Sequence, residues 1–214
     1  MLLTTTVRNL LLATWAVPPA HLLRSLPPGV EPDLADDGSA LVSLAAARAG
    51  GVRVDGVPVP GFGHLAVRTY VTLDGRPSLF LLALRVTTVG LPGAFYGIPV
   101  RPARIRIRTG AVVAPGLGVE LRYRVGAAAQ HVPTAGGVPL GSHADAGFRS
   151  AGVRRFHGSH AAPAWQEAAL VAPPRLELLL ALGFDAREPD SLLYAESVQF
   201  GLTLPTEKVA DSAP

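Results

Sequence analysis

Strict alternation of apolar and polar positions from His64 to Leu73 predicts a β-strand with two unlike faces. Leu65, Val67, Thr69, Val71 and Leu73 point one way; His64, Ala66, Arg68, Tyr70 and Thr72 point the other. Asp74-Gly75 follows directly and is the strongest short hairpin signal in the chain, with the Leu- and Val-rich run from Ser78 to Val89 as the returning strand. A two-residue loop sets Arg85 opposite His64, Ala83 opposite Ala66 and Leu81 opposite Arg68.

Elsewhere the pattern is one of short elements. Leu10 to Val17 is apolar enough for a buried strand, and Pro18 or Pro19 can open a helix with Leu22, Leu23 and Leu26 on its inner face, stopped by Pro27, Pro28 and Gly29. Ala40 to Ala47 reads as a buried segment, broken by Gly50-Gly51 before a short stretch at Val52 to Val54. Gly90 to Gly97 holds a turn or a helical piece. Arg104, Arg106 and Arg108 alternate with Ile105 and Ile107, and Glu120, Arg122 and Arg124 with Leu121, Tyr123 and Val125, so these two runs pair as a hairpin across GAVVAPGLG. Gly126 to His143 has no period and reads as a mobile loop. Gln166 to Ala172 and Leu176 to Leu182 are short apolar runs split by Pro173-Pro174, the second helical up to Gly183. A last strand spans Leu192 to Leu204, which makes residues 1–205 one domain and 206–214 a polar tail.

Composition narrows the class. Gly and Pro number 23 and 20 in 214 residues, which favours many turns over long helices. A net charge of +3 looks basic, but aromatics make up only 6% of the chain, too few for the stacking surfaces of a nucleic-acid binder, and this argues against that partner. All basic residues except Lys208 are Arg, which could serve anion recognition but is better read as part of an Ala-, Gly-, Pro- and Arg-rich compositional bias. Cysteine is absent, so no disulfide framework exists. The eight-residue apolar run after Arg8 ends in Pro18-Pro19 without a cleavage signal, and no run approaches the roughly 20 residues that span a bilayer; a cytoplasmic location without membrane contact is the expectation. Homo-oligomerisation is left open.

The chemistry-bearing groups converge on the predicted strand. Arg68 offers a planar bidentate cation, Tyr70 a hydroxyl and His64 a titratable ring, with Arg85 joining from the neighbouring strand; together they suit a carboxylate ligand. Pattern alone favours a solvent-facing strand over a ligand site. His157 and His160 in RRFHGSH are three apart, but Gly158 and Pro163 oppose a helix, so solvated loop histidines are expected and no metal site. His143 with Asp145, and Ser159 beside His160, show no nucleophile elbow. The Arg104, Arg106, Arg108, Arg122 and Arg124 face is the candidate for an anionic partner, with an exposed hairpin face as the plainer reading. No cofactor fingerprint occurs. A catalytic cysteine is excluded, and Lys208, the chain's one lysine, lies near its end.

LLLATWAVPPAHLLRSLPPGVEPD and FGHLAVRTYVTLDGRPSLFLLAL resemble the N-terminal half of the YqjF-like family, which groups with the acetoacetate decarboxylase-like fold. The matching positions are Trp15, Pro19, Leu26, Pro27, Gly29 and Asp33, then Val67 to Val71, while LLYAESVQF resembles the family's closing strand. The resemblance implies a mainly β (α+β) fold: an antiparallel barrel or cone with a few short helices, the polar face of the Arg68 strand turned into a cavity. His64 and Ala66 stand where the family often has Glu and Asn, so an acid/base role does not transfer. Acetoacetate decarboxylases use a cavity lysine as a Schiff base; Lys208 is badly placed for that. The implied function is small organic acid binding through Arg68, Tyr70, His64 and Arg85. Two alternatives stand beside it: a lyase or hydrolase acting on a small carboxylate or keto acid without a Schiff base, and an interaction module using the basic hairpin.

Overall fold

The computed structural model describes residues 2–88, 99–150, 152–185 and 187–208. Its strands are β1 (Leu2–Val17), β2 (Ala40–Val54), β3 (Val57–Pro58), β4 (Phe62–Leu73), β5 (Arg76–Val86), β6 (Val100–Pro102), β7 (Arg106–Arg108) and β8 (Ala111–Ala114). They continue as β9 (Val119–Ala128), β10 (Thr134–Ala135), β11 (Val138–Pro139), β12 (Asp145–Ser150), β13 (Gly152–His160), β14 (Gln166–Leu170), β15 (Arg175–Leu176) and β16 (Ser191–Lys208). Two five-residue α-helices, α1 (Pro19–Leu23) and α2 (Glu177–Ala181), and one 3-10 turn at Pro115–Leu117 complete the described set.

Hydrogen bonding runs β1-β2-β4-β5-β12-β13-β16 and returns from β16 to β1, so one curled sheet meets itself. Closure removes sheet edges that would otherwise be free to pair. Most pairs are antiparallel, as expected; β5 pairs parallel with both β12 and β6. From β16 a second layer branches through β14, β9, β8 and β7.

The two faces of β4 separate as its alternation requires, and both are covered. Leu65, Val67 and Val71 enter the main core with Ile105, Ile107 and Leu121 of the second layer and Leu178 and Leu179 of α2. Ala66, Arg68 and Tyr70 face the interior of the closed sheet. The most apolar face therefore points outward into a layered core, and the polar face inward.

The hairpin forms as predicted at its tip, where Asp74 (φ 50°) and Gly75 (φ 71°) are both left-handed, the signature of a type I′ turn. The predicted register holds from Leu73 opposite Arg76 to Arg68 opposite Leu81. A bulge at Leu82 then shifts it by one, setting Ala83 opposite Val67, Arg85 opposite Leu65 and Val86 opposite His64. A one-residue slip exchanges faces, so Arg85 leaves the His64 side.

Several elements are longer or more ordered than their patterns suggest. β1 begins at Leu2, eight residues earlier than the apolar run, because Thr4 and Thr6 pair with both β2 and β16. β2 continues through Gly50-Gly51, absorbing Gly51 (φ 58°) near a register irregularity opposite β1. Ala111–Ala114 is a strand between the two arginine-bearing runs: β7 pairs with β8, and β8 with β9. The segment read as a mobile loop extends β9 to Ala128 and carries the β10–β11 hairpin. In α1, Leu22 is buried whereas Leu23 is turned out. Helix α2 stops before Gly183 (φ 88°), as predicted. β16 runs to Lys208, whose backbone pairs with Arg154, so the strand outlasts the predicted boundary at Leu204. The predicted turn at Gly90 to Gly97 lies outside the described residues, as do 209–214. No described helix is long and apolar enough to cross a membrane.

Candidate functional site

A cavity of about 330 Å³ lies inside the closed sheet, lined from β4 by Phe62, His64, Ala66 and Arg68. Leu79, Leu81, Leu84 and Val86 of β5 form the adjoining wall. At a rise of ~3.3 Å per residue, the lining of β4 from Arg68 to Phe62 extends over about 20 Å.

The polar groups gather at the Arg68 end. His143 is buried, with 4% of its surface exposed, and its ring lies 5.0 Å from that of Tyr70. The Tyr70 hydroxyl shares a hydrogen bond of 2.8 Å with Ser43 Oγ, which shares another of 2.8 Å with Thr14 Oγ1. This chain of buried hydroxyls crosses β1, β2 and β4 and fixes the Tyr70 ring as a backstop for His143. His160 of β13 also lines the cavity; its Nε2 lies 3.2 Å from the His143 carbonyl oxygen, and its ring stacks on Phe200 at 6.0 Å.

Three polar atoms here are buried without a hydrogen bond: Arg68 Nε and both ring nitrogens of His143. The Ala135 backbone lies near enough to favour the charged His143 ring slightly without forming a bond. Burial holds the His143 pKa at about 4, with the Arg68 guanidinium and then the neighbouring His160 ring acting in the same direction. Burial and then Arg68 likewise hold His64 at about 4. At neutral pH both imidazoles are uncharged, so the guanidinium of Arg68 faces two neutral bases and apolar walls. Leaving a buried polar group unpaired costs ~1–3 kcal/mol, so this end of the cavity favours a ligand that accepts hydrogen bonds and carries negative charge.

Of the predicted residues, the structure thus brings His64 and Arg68 to the cavity wall and sets Tyr70 behind His143. Arg85 is not among the residues lining it; its guanidinium donates to the Leu84 carbonyl at 3.2 Å, and both burial and the charge of Arg101 lower its pKa. His143 and His160 were not foreseen as site residues. The RRFHGSH segment is strand β13 rather than a loop, with Phe156 and His160 lining the cavity and His157 bonded through Nδ1 to buried Asp145 at 2.5 Å. Gly158, which opposed a helix, has a different role: a Cβ there would lie 2.9 Å from the Ala144 oxygen and 3.3 Å from the Phe200 ring. Its period-two alternation with Phe156 and His160 was the available signal. No group of three metal-ligating side chains occurs among the described residues.

A second, larger cleft of about 890 Å³ lies where β2 and β4 approach β7–β9. Arg48, Arg106, Arg108 and Arg122 line it, above a floor that includes Gly50, Gly51, Gly61 and Gly63. Glu120 pairs with Arg122 at 2.7 Å. Arg104 and Arg124, predicted on the same basic face, are not among its lining residues.

No curated protein sequence matches the chain. Solved structures do. An acetoacetate decarboxylase-like enzyme from Sphingomonas wittichii RW1 is 14% identical with a TM-score of 0.62, covering 99% of this chain and 94% of its own. The enduracididine biosynthesis enzyme MppR complexed with pyruvate is 16% identical, TM-score 0.58, covering 99% and 91%. Acetoacetate decarboxylase from Legionella pneumophila is 11% identical, TM-score 0.58, covering 98% and 87%. At these identities the likeness establishes a shared fold, the one that the N-terminal motifs implied. The model of DUF2071, described as an uncharacterized conserved protein, matches residues 4–199, and the chain therefore belongs to that family.

Proposed function

We propose that this protein is a cytoplasmic binding protein for a small organic acid, held with its carboxylate at Arg68 and His143. The observation that carries this reading is the buried, unsatisfied Arg68 Nε beside the equally unsatisfied His143 ring, inside a cavity otherwise lined largely by apolar side chains. A carboxylate supplies the acceptors and the charge these groups lack. Tyr70 acts by positioning His143. This reading invokes no lysine Schiff base, the one lysine of the chain being Lys208.

A second reading is catalytic, favoured by the depressed pKa values of His64 and His143, which keep both rings available as bases at neutral pH. Arg68 would orient a keto acid, the class of compound bound in the MppR–pyruvate complex, while a ring accepts its proton.

Titration calorimetry with pyruvate and butanoate tests the first reading. Arg68→Gln is expected to weaken binding at least tenfold; failure of both acids to bind the wild type, or equal affinity in the variant, refutes it. For the second, solvent deuterium entering the pyruvate methyl group, abolished in His64→Gln, is expected; no exchange above the uncatalysed rate excludes it.

A further inference from the structure

The cavity is much longer than a carboxylate and its neighbouring carbonyl require, and its polarity is graded. Beyond Arg68 and His143 the wall continues past the small side chains of Ala45 and Ala66. It ends among Leu3, Ala49, Phe62, Phe156, Phe200 and Leu202, residues of a third hydrophobic cluster set apart from the main core. His64 lies between the ends, and its depressed pKa makes it a neutral part of this wall at physiological pH.

Resting on the organic-acid reading above, we infer that the ligand is amphipathic: a carboxylate with an unbranched or aryl-alkyl hydrocarbon tail of medium length, its head at Arg68 and its tail toward Phe62 and Leu202. The size follows from the volume. Divided by the ~30 Å³ that a water-sized group occupies, about 330 Å³ accommodates on the order of ten non-hydrogen atoms. Octanoate has that many and pyruvate has six. A tail without polar atoms also fits the chemistry of the walls, because a hydroxylated chain placed among Leu3, Phe200 and Leu202 would lose its hydrogen bonds to water without replacement.

A chain-length series on the wild-type protein tests this with no dependence on a variant folding. Acetate, butanoate, hexanoate, octanoate, decanoate and dodecanoate are titrated, with octylamine as the charge-reversed control. Burial of one methylene strengthens binding about fourfold, so octanoate is expected to bind on the order of 100-fold more tightly than butanoate, with no further gain beyond decanoate. Ala66→Leu narrows the middle of the cavity and is expected to weaken octanoate at least tenfold more than it weakens acetate. Equal affinity from acetate to octanoate, all of it lost in Arg68→Gln, overturns the tail and leaves the acid site standing. Binding of octylamine as tight as octanoate, or no acid binding at all, removes the acid site and the inference together.

Discussion

Lowering the pH from 7.5 to 5 should destabilise this protein through His143, and the size of the effect follows from its burial. Its folded pKa is about 4 against 6.5 when exposed, so the unfolded chain binds a proton that the folded chain refuses throughout the interval between them. A base with a depressed folded pKa contributes stability that is fully present above about pH 6.5 and lost as pH falls toward 4. At pH 5 the unfolded ring is almost wholly protonated and the folded ring about one-tenth so, which removes roughly 2 kcal/mol. His64 adds in the same direction. The groups facing His143 are Arg68 and His160, both of which oppose its protonation. Because acid acts on other groups of the protein as well, the measurement is a difference between two proteins. Urea unfolding of the wild type and of His143→Phe, which keeps the ring contact with Tyr70, can be followed by the fluorescence of buried Trp15 and Trp165 at pH 7.5, 6 and 5. The wild type is expected to lose roughly 2 kcal/mol more than the variant over this range. Parallel pH profiles, agreeing within ~0.5 kcal/mol, would show that His143 is not held neutral and would remove the electrostatic part of the site argument.

Tyr70→Phe removes one end of the Thr14–Ser43–Tyr70 chain and should cost about 1 kcal/mol in urea unfolding at pH 7.5. It should also weaken octanoate by several-fold through a less fixed His143 ring; unchanged binding would reduce Tyr70 to a packing residue. The double variant Arg106→Gln, Arg108→Gln should elute from an anionic polymer column at clearly lower salt than the wild type, whereas Arg68→Gln, altered in the interior cavity, should not shift. Elution of the wild type independent of salt would end the reading of the arginine cleft as an interaction surface.

The alternation of His64–Leu73 and the Asp74-Gly75 turn were legible because each reports a local rule: side chains alternate along a strand, and a type I′ turn demands two left-handed residues. What the sequence pattern could not convey was long-range. Whether a polar strand face meets water or a cavity depends on closure of β16 onto β1, a pairing between residues as distant as Leu3 and Leu202. The bulge at Leu82 has no local signature in FLLALRV, yet it decides that Arg85 leaves the site. His143 reaches the cavity from a segment with no period, and His160 from a strand disguised by a glycine that is needed for a close approach to Phe200. Likewise Thr4–Thr6 near the start of β1 are polar enough to read as loop, yet the strand there is paired on both sides.

The division of β4 into two buried faces also separates stability from function. Leu65, Val67 and Val71 seal the strand against the second layer, and that contact supplies apolar burial whatever occupies the interior. The inner face is then free to hold groups that cost stability: a guanidinium with an unsatisfied nitrogen and the His64 imidazole, joined in the cavity by His143 from another segment, both rings kept from protonation. Such costs persist in a core where a function uses them. Arginine is suited to the role because it keeps its charge at any accessible pH, which makes it a durable anchor for an anion and a poor proton donor or nucleophile. Proton transfer in this cavity, if the catalytic reading holds, would therefore rest on the imidazoles that line it, His64, His143 or His160, rather than on Arg68.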